Sequence, residues 1–387
     1  QKKNKGEVHK NFLCPYLAAL SHNISKILPG NLNVSYLPNS GAEANEGAIK
    51  LAYKYHGGKR KYILHSDISF HGKLLGTGSI SHSPEVKFKF PGIENTDSFK
   101  WNDIKNLKEK INKYENTKDN PDIFAIIIEP FSASSLLECS ESFLRELREI
   151  CNKKKIILIF DEIYTGWGKT GEYFYFMKYE KLIPDILTMS KSFGGGKSSI
   201  SCFTTSNEIF NKAYGNIQDS TIHSTTYNAF GEETLTALEA VNIVVEDKYP
   251  EKAKNIGELI KTHLNKLKNK YPKQIREIRG TGCLQGIIFN SGPEILKKII
   301  SIIPTDITKD ERFVNKLITA SVISNLYSEH NILTSPGQNK DICLWISPSL
   351  IVSKNEVEHF FDSLDKTLDK GIINLITRFI KNRFVKK

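Results

Sequence analysis

The sequence has no long apolar run. Its longest strongly apolar stretches, "AIIIEPF" and "IILIFDEIY", have strand length. A membrane-crossing helix needs roughly 18 consecutive apolar residues, so none is expected here. The first residue is Gln1, and no charged, apolar, small-residue succession of a signal peptide follows it. The chain is therefore expected to be a fragment or a processed product. Cysteine is sparse. Cys14, Cys139, Cys151, Cys202, Cys283 and Cys343 form no C-x-x-C pair and no zinc-ligand spacing. Several lie in apolar contexts such as "SISCFTTS", which suits buried free thiols in a reducing compartment, the cytoplasm, better than a disulfide frame. Acidic residues fall short of basic ones, 43 against 54, for a net charge of +11. The excess lysines are scattered among Asn, Asp and Glu, as in "NKYENTKDNPD" and "KLKNKYPK". That pattern reads as a solvated basic surface, and we expect neither a nucleic-acid nor a membrane partner. No internal repeat and no low-complexity linker occurs.

The chain's 387 residues are enough for two domains with sizeable cores. From about residue 33 to 205, short apolar runs alternate with helical segments. "NVSYLPNS" reads as a strand and "GAEANEGAIKLAYKYHG" as a helix closed by Gly57. "KYILHSD" is a strand. "WNDIKNLKEKINKY" is a helix with Trp101, Ile104, Leu107 and Ile111 on one face. "FAIIIEP" is a strand and "ESFLRELREICNKK" a helix, and "IILIFDE", "DILTMSKS" and "SISCFTTS" are further strands. Fully apolar strands separated by helices predict an α/β fold, a mostly parallel sheet covered on both faces. Residues 232–268 read as one long helix or a pair. "IREIRGTGCLQGIIFN" then reads as strand, glycine turn, strand, and a smaller α+β domain is expected over 256–387 after a large domain over 1–255. The basic tail "TRFIKNRFVKK" carries apolar residues at helical spacing and is expected to be a terminal helix.

Ligands on open α/β sheets bind outside the carboxyl ends of the strands, and the polar residues of interest lie at such ends. The stretch "SKSFGGGKSS" holds two lysines. A phosphate-cradling loop needs G-x-x-x-x-G-K-[ST] followed by a helix. Gly196, Lys197 and Ser198 fit the end of that pattern, but its first glycine falls on Lys191 and a strand follows. Lys191 instead ends the strand "DILTMS" beside a flexible glycine run, which suits a lysine that must reach an aldehyde and swing away as a free base. Asp161 ends the strand "IILIF", where a carboxylate can meet a cofactor ring nitrogen or simply cap a helix. "GAEANEGAIK" opens a helix after Ser40, whose free N–H groups suit a phosphate. Phe70 and His71 follow another strand, where an aromatic ring can stack on a planar cofactor or fill the core.

The motifs "NSGAEANEGAIKLA", "FHGKLLG", "IIEP", "IFDEIYTGWGKTG", "PDILTMSKSFGGG" and "HSTTYNAFGEETLTALEA" together resemble the class III pyridoxal-phosphate aminotransferases, in order and spacing over nearly the whole chain. The resemblance implies a fold type I architecture with a seven-stranded sheet, and pyridoxal 5'-phosphate as cofactor. It makes Lys191 the Schiff-base lysine and proton shuttle, and Asp161 the partner of the pyridinium nitrogen. Ile163 and Phe70 would lie on opposite ring faces. Ser40, Gly41 and Ala42 would surround the phosphate, and His71 and Glu129 would stand near the site. Thr226 matches a threonine lent to the phosphate of a neighbouring subunit, which implies a homodimer with shared sites. The implied reaction moves an amino group between an amine or amino acid and a keto acid or aldehyde.

Three positions depart from that pattern. Tyr164 stands where the family often has a glutamine that bonds the cofactor's phenolic oxygen. Ser134 stands where many members have a glutamate, and Trp345 where the arginine it neutralises is expected. Both halves of that carboxylate-recognition pair are gone together, and a tryptophan does not replace a bidentate arginine contact. The sequence also begins some tens of residues later than family members usually do, so a segment that helps build the small domain and the substrate channel is expected to be missing from it. An aminomutase or racemase on the same scaffold, and a non-catalytic homologue, remain the alternatives.

Overall fold

A computed structural model describes residues 14–82, 92–117, 120–219, 221–291, 311–339 and 341–384. The chain divides into two units. The first holds the described residues up to Ser132, then Glu138–Gly168 and Glu172–Pro250. The second holds Ala133–Leu137, Lys169–Gly171 and the described residues from Glu251 onward. The main division thus falls five residues before the expected 255/256, at the start of the helix Tyr249–Lys270. The two short excursions are tied into the small unit by hydrogen bonds. Cys283 N donates to Lys169 O, Arg279 Nη1 to Ser135 O, and Asn339 Nδ2 to Ser134 Oγ.

The large unit is built on a seven-stranded sheet. Its strands are β1 (Val34–Tyr36), β2 (Tyr62–Ser66), β3 (Thr96–Phe99), β4 (Ile123–Ile128), β5 (Ile157–Asp161), β6 (Ile186–Met189) and β7 (Cys202–Thr205), in the order β1-β7-β6-β5-β4-β2-β3. Contacts among β6, β5, β4, β2 and β3 are all parallel, and β7 runs antiparallel to both β6 and β1. The mostly parallel expectation holds, with β7 the one reversal. β4 (IFAIII) and β5 (ILIFD) are almost wholly apolar and buried at every position, as strands covered on both faces must be. Leu158 and Phe160 enter one apolar cluster, and the alternate residues Ile157 and Ile159 enter the other. β3, "TDSF", did not stand out in the sequence. It is an edge strand that pairs only with β2 and buries only Phe99.

The helices are α1 (Pro15–Ile27), α2 (Gly41–Tyr55), α3 (Ile104–Lys113), α4 (Glu141–Lys154), α5 (Asn207–Tyr214) and α6 (Gly231–Glu246). Ser40 caps α2, and the helix gives way to Gly57 at φ +61°, a left-handed conformation that glycine adopts without steric cost. The long segment 232–268 resolves into a pair, α6 and α7 (Tyr249–Lys270).

The small unit contains an antiparallel sheet of β8 (Ile275–Thr281), β9 (Leu284–Phe289), β10 (Pro336–Gln338) and β11 (Ile342–Ile346), ordered β8-β9-β11-β10. It packs with α7, α8 (Glu311–His330), α9 (Lys354–Asp369) and α10 (Ile372–Phe384) around Leu264, Ile287, Phe289, Ile318, Leu344, Leu364 and Ile376. The expected terminal helix is α10, and the last three residues of the tail lie outside the described residues.

Candidate active site

Strand register brings the polar residues of the large unit to one edge. Thr188 of β6 pairs with Asp161 of β5, and Ile128 of β4 pairs with Phe160. Glu129 and Asp161 therefore leave adjacent parallel strands at the same level, and Lys191 follows β6 by two residues. Asp161 is 4% exposed. Its Oδ2 accepts from Asn45 Nδ2 at 2.7 Å and lies 2.8 Å from His71 Nδ1, and its Oδ1 accepts from Ile163 N at 3.0 Å. A buried carboxylate needs such partners to offset its lost hydration. Asn45 is completed by Thr188 Oγ1, which donates to its Oδ1 at 2.8 Å, and by a 2.8 Å bond from Nδ2 to His71 O. Asn45 thus fixes both Asp161 and the His71 loop. The sequence reading missed it, because an asparagine in the first turns of an amphipathic helix looks like surface.

The second expected residue on that loop, Phe70, is half-buried, and its N–H donates to Glu129 Oε2 at 3.1 Å. Gly72 follows at φ +138°, and a Cβ there would sit 2.7 Å from Ala42 Cβ. Only glycine lets this loop lie so close to the start of α2. Ile163 closes the same helix end from the other side, since a Cβ on Gly41 would fall 2.9 Å from both Ile163 Cδ1 and Cγ2. Ser40 Oγ accepts from Glu43 N at 3.3 Å and donates to Glu43 Oε2 at 2.8 Å. Its one hydroxyl proton is spent within its own helix, so the donors α2 can turn outward are the backbone N–H groups of its first turn.

Lys191 opens a short 3₁₀ turn at φ +48° and is exposed, with Nζ 4.3 Å from the centroid of the Tyr164 ring. Tyr164, the departure noted in the sequence, is thus beside the lysine. Lys197 is exposed in the turn beyond the glycine run, and the next regular element is strand β7, not a helix. Thr226 is exposed, in a turn held by its neighbours. Thr225 N donates to Tyr36 Oη at 3.1 Å, and Asn39 Nδ2 donates to Tyr227 O at 3.2 Å. No side-chain hydrogen bond joins Thr226 itself to the other candidates among the described residues.

These features suit a planar, anionic, ring-nitrogen cofactor. A helix N-terminus with close backbone approach suits a phosphate. A buried carboxylate suits a ring nitrogen, an isoleucine offers an apolar wall, and an amine follows the adjacent strand end. His71 Nε2 is buried without a hydrogen-bond partner among the described residues, a further polar atom left for a ligand or water.

Fold and site together define an α/β enzyme scaffold of the pyridoxal-phosphate type. A family model described as aminotransferase class-III matches residues 8–368. The chain belongs to the class III aminotransferases, whose cofactor is pyridoxal 5'-phosphate. It is 32% identical over 283 residues to a putrescine aminotransferase of Pectobacterium atrosepticum, a match that covers 72% of this chain and 59% of that protein. The fold is that of a transaminase from the marine bacterium Virgibacillus (TM-score 0.81, 22% identity, 98% of this chain and 84% of that one). It is also that of the ornithine aminotransferase of Toxoplasma gondii (TM-score 0.77, 21% identity, 93% and 78%). Among the described residues, no helix is long and apolar enough to cross a membrane, and all six cysteines are free and buried.

Proposed function

We propose that the protein is a transaminase that moves an amino group between an amine or amino acid and a keto acid or aldehyde, with Lys191 as the covalent lysine. The observation that carries this reading is the buried Asp161, held by Asn45 and His71 at the end of β5, with Lys191 following the neighbouring β6. Pyridoxal 5'-phosphate, when bound, supplies an aldehyde that captures the amine and a ring that withdraws electrons. The chain's own residues do the rest. Asp161 would hold a proton on the ring nitrogen, and Asn45 and His71 fix its carboxylate in place. The first N–H groups of α2, at Gly41 and Ala42, hold the phosphate, while Ile163 and Phe70 confine the ring. Lys191 Nζ takes the proton from the substrate carbon that bears nitrogen and returns it elsewhere. Tyr164, next to that amine, steadies its position. We further assign the enzyme to the cytoplasm, in keeping with its six free thiols. We assign it to a homodimer in which Thr226 of the partner subunit completes each phosphate site.

The substrate reading rests on the departures at Ser134 and Trp345. Trp345 presents a flat apolar wall. Arg279, on β8 of the same sheet, is already bound by Glu277 at 2.7 and 2.8 Å and by Asp341 at 2.8 Å. Burial lowers the pKa of the Lys169 amine from its ordinary value. With Trp345 where the family expects an arginine, a distal carboxylate lacks its bidentate partner, and burying an ion unpaired costs several kcal/mol. We expect 2-oxoglutarate to be a poor acceptor beside uncharged aldehydes or apolar keto acids. Single-turnover reaction of the amine-loaded enzyme with a panel of acceptors tests this. The idea fails if 2-oxoglutarate reacts fastest and Trp345→Phe leaves that order unchanged.

The transaminase reading itself is tested by borohydride reduction of the holoenzyme and peptide mass mapping, followed by turnover with amine donors. Cofactor mass on Lys191, and product formed only with a separate carbonyl acceptor, is the expected result. Turnover without any acceptor would make the enzyme an isomerase.

A further inference from the structure

Glu162 lies next to Asp161 and takes no part in the reaction proposed above. It is fully buried. Its Oε2 accepts from Thr165 Oγ1 at 2.7 Å and from Tyr175 N at 2.7 Å, and its Oε1 accepts from Phe176 N at 2.8 Å. Three donors converge on this carboxylate, and no ion pair to it occurs among the described residues. Burial pushes its carboxyl up to about 7, with the three donors working against that rise. A fully buried carboxylate without a cation is costly, but an apolar residue there would leave the N–H groups of Tyr175 and Phe176 without this acceptor. What the carboxylate achieves is closure of a loop. It ties Thr165 to Tyr175 and Phe176, ten and more residues further on, while Trp167 N donates to Tyr173 O at 2.6 Å. The start of that loop carries Ile163 against Gly41 and Tyr164 against Lys191. Trp167, at φ +67°, stacks on Phe193, two residues past Lys191, with centroids 5.3 Å apart and planes 17° from parallel. Both flanks of the lysine therefore rest on side chains, Tyr164 and Trp167, that bracket Thr165, whose hydroxyl Glu162 holds.

We propose that Glu162 is a positioning residue: a buried carboxylate clasp that holds Tyr164 and Trp167 against the Lys191 segment and so sets the environment of the lysine amine. The proposal rests on Lys191 being the covalent lysine. Glu162→Gln keeps the shape, but its amide nitrogen cannot accept the N–H of Tyr175 or Phe176, so one clasp bond is replaced by a clash of donors.

The test compares holoenzyme of wild type, Glu162→Gln and Thr165→Val, the last removing one donor without leaving a buried N–H unpaired. In Glu162→Gln we expect the pH midpoint of the bound cofactor's visible absorption to shift by about half a unit or more. We also expect kcat to fall about tenfold with KM little changed. Thr165→Val is expected to move both in the same direction by less. In cofactor-free protein, tryptic cleavage after Lys169 should quicken in Glu162→Gln relative to cleavage elsewhere. A folded Glu162→Gln with unchanged midpoint, kcat and cleavage pattern overturns the proposal. If Glu162→Gln does not fold, an unchanged midpoint and kcat in Thr165→Val overturns it instead. Absence of a lysine-bound cofactor in the wild type would refute the transaminase reading, and the cleavage comparison would still decide the clasp.

Discussion

Lys191 and Lys197 are separated by five residues, and both are exposed, yet only Lys191 adjoins the strand ends where Asp161 and Glu129 emerge. Lys191→Ala is expected to leave the fold and melting temperature unchanged and to abolish borohydride-fixed cofactor. Label recovered on Lys197 in the wild type would overturn the assignment. Asp161→Asn should keep the cofactor but lose turnover, because a neutral partner no longer favours a protonated ring. A charged hydrogen bond is worth about 1.5–3 kcal/mol, and that loss confined to the transition state slows turnover by about one to two decades. Steady-state kinetics at saturating amine measures it, and near-normal rates would remove Asp161 from the role. Ser40 and Thr226 differ from these two in kind. The first is consumed by its own helix cap, and the second has no partner among the candidates of its own chain.

At the scale of elements, the β1–β7 edge carries an aromatic stack that joins the site to the turn around Thr226. Tyr36 lies 5.3 Å from Phe203 and 4.7 Å from His223. Burial, with help from Lys50, lowers the His223 pKa from its ordinary 6.5 to about 4. The unfolded chain therefore takes up this proton first as the medium is acidified. The stability His223 contributes is present above pH 6.5 and is lost as pH falls from there towards 4. The ring is partly exposed, so the effect is discounted for solvent screening to roughly 1 kcal/mol. His56, lowered to about 4 mainly by burial, adds loss of the same sign. His223→Gln should flatten the drop in melting temperature between pH 7 and 4.5, and an identical pH profile would show that the ring titrates normally in the folded state. The same element scale explains what was hidden in the sequence. β3 needs only one pairing partner and one buried residue, so its composition carries little strand signal. β7 reads like its parallel neighbours because direction is not written in apolar content.

For the whole molecule, the division into two units is not a cut at a single point. Gly282, at φ +55°, approaches Lys169 O and Thr170 so closely that a Cβ would lie 2.6 to 2.8 Å from that backbone. Arg279 and Asn339 likewise hold the stretch 133–137. A fragment beginning at Glu251 lacks both excursions. It is expected to melt well below the corresponding transition of the full chain and to expose the edge formed by Gly282 and Arg279. Calorimetry of the fragment beside the full chain checks this, and equal transitions would show that the excursions are dispensable.

By itself the sequence determined the α/β class, the strands β4, β5 and β6, the position of Asp161 and Lys191 at strand ends, and the departures at Tyr164, Ser134 and Trp345 from the family pattern. These are local properties: apolar runs of strand length, the residue that ends each run, and short motifs at fixed spacing. Tertiary structure alone decided that Asn45 would hold Asp161 across 116 positions, and that Glu162 would clasp Tyr175 and Phe176. It alone decided that two short loop segments would join the small unit. Each of these depends on where a side chain meets a partner distant along the chain. A polar residue's local surroundings in sequence do not reveal whether it faces water or pairs with a group brought to it by packing.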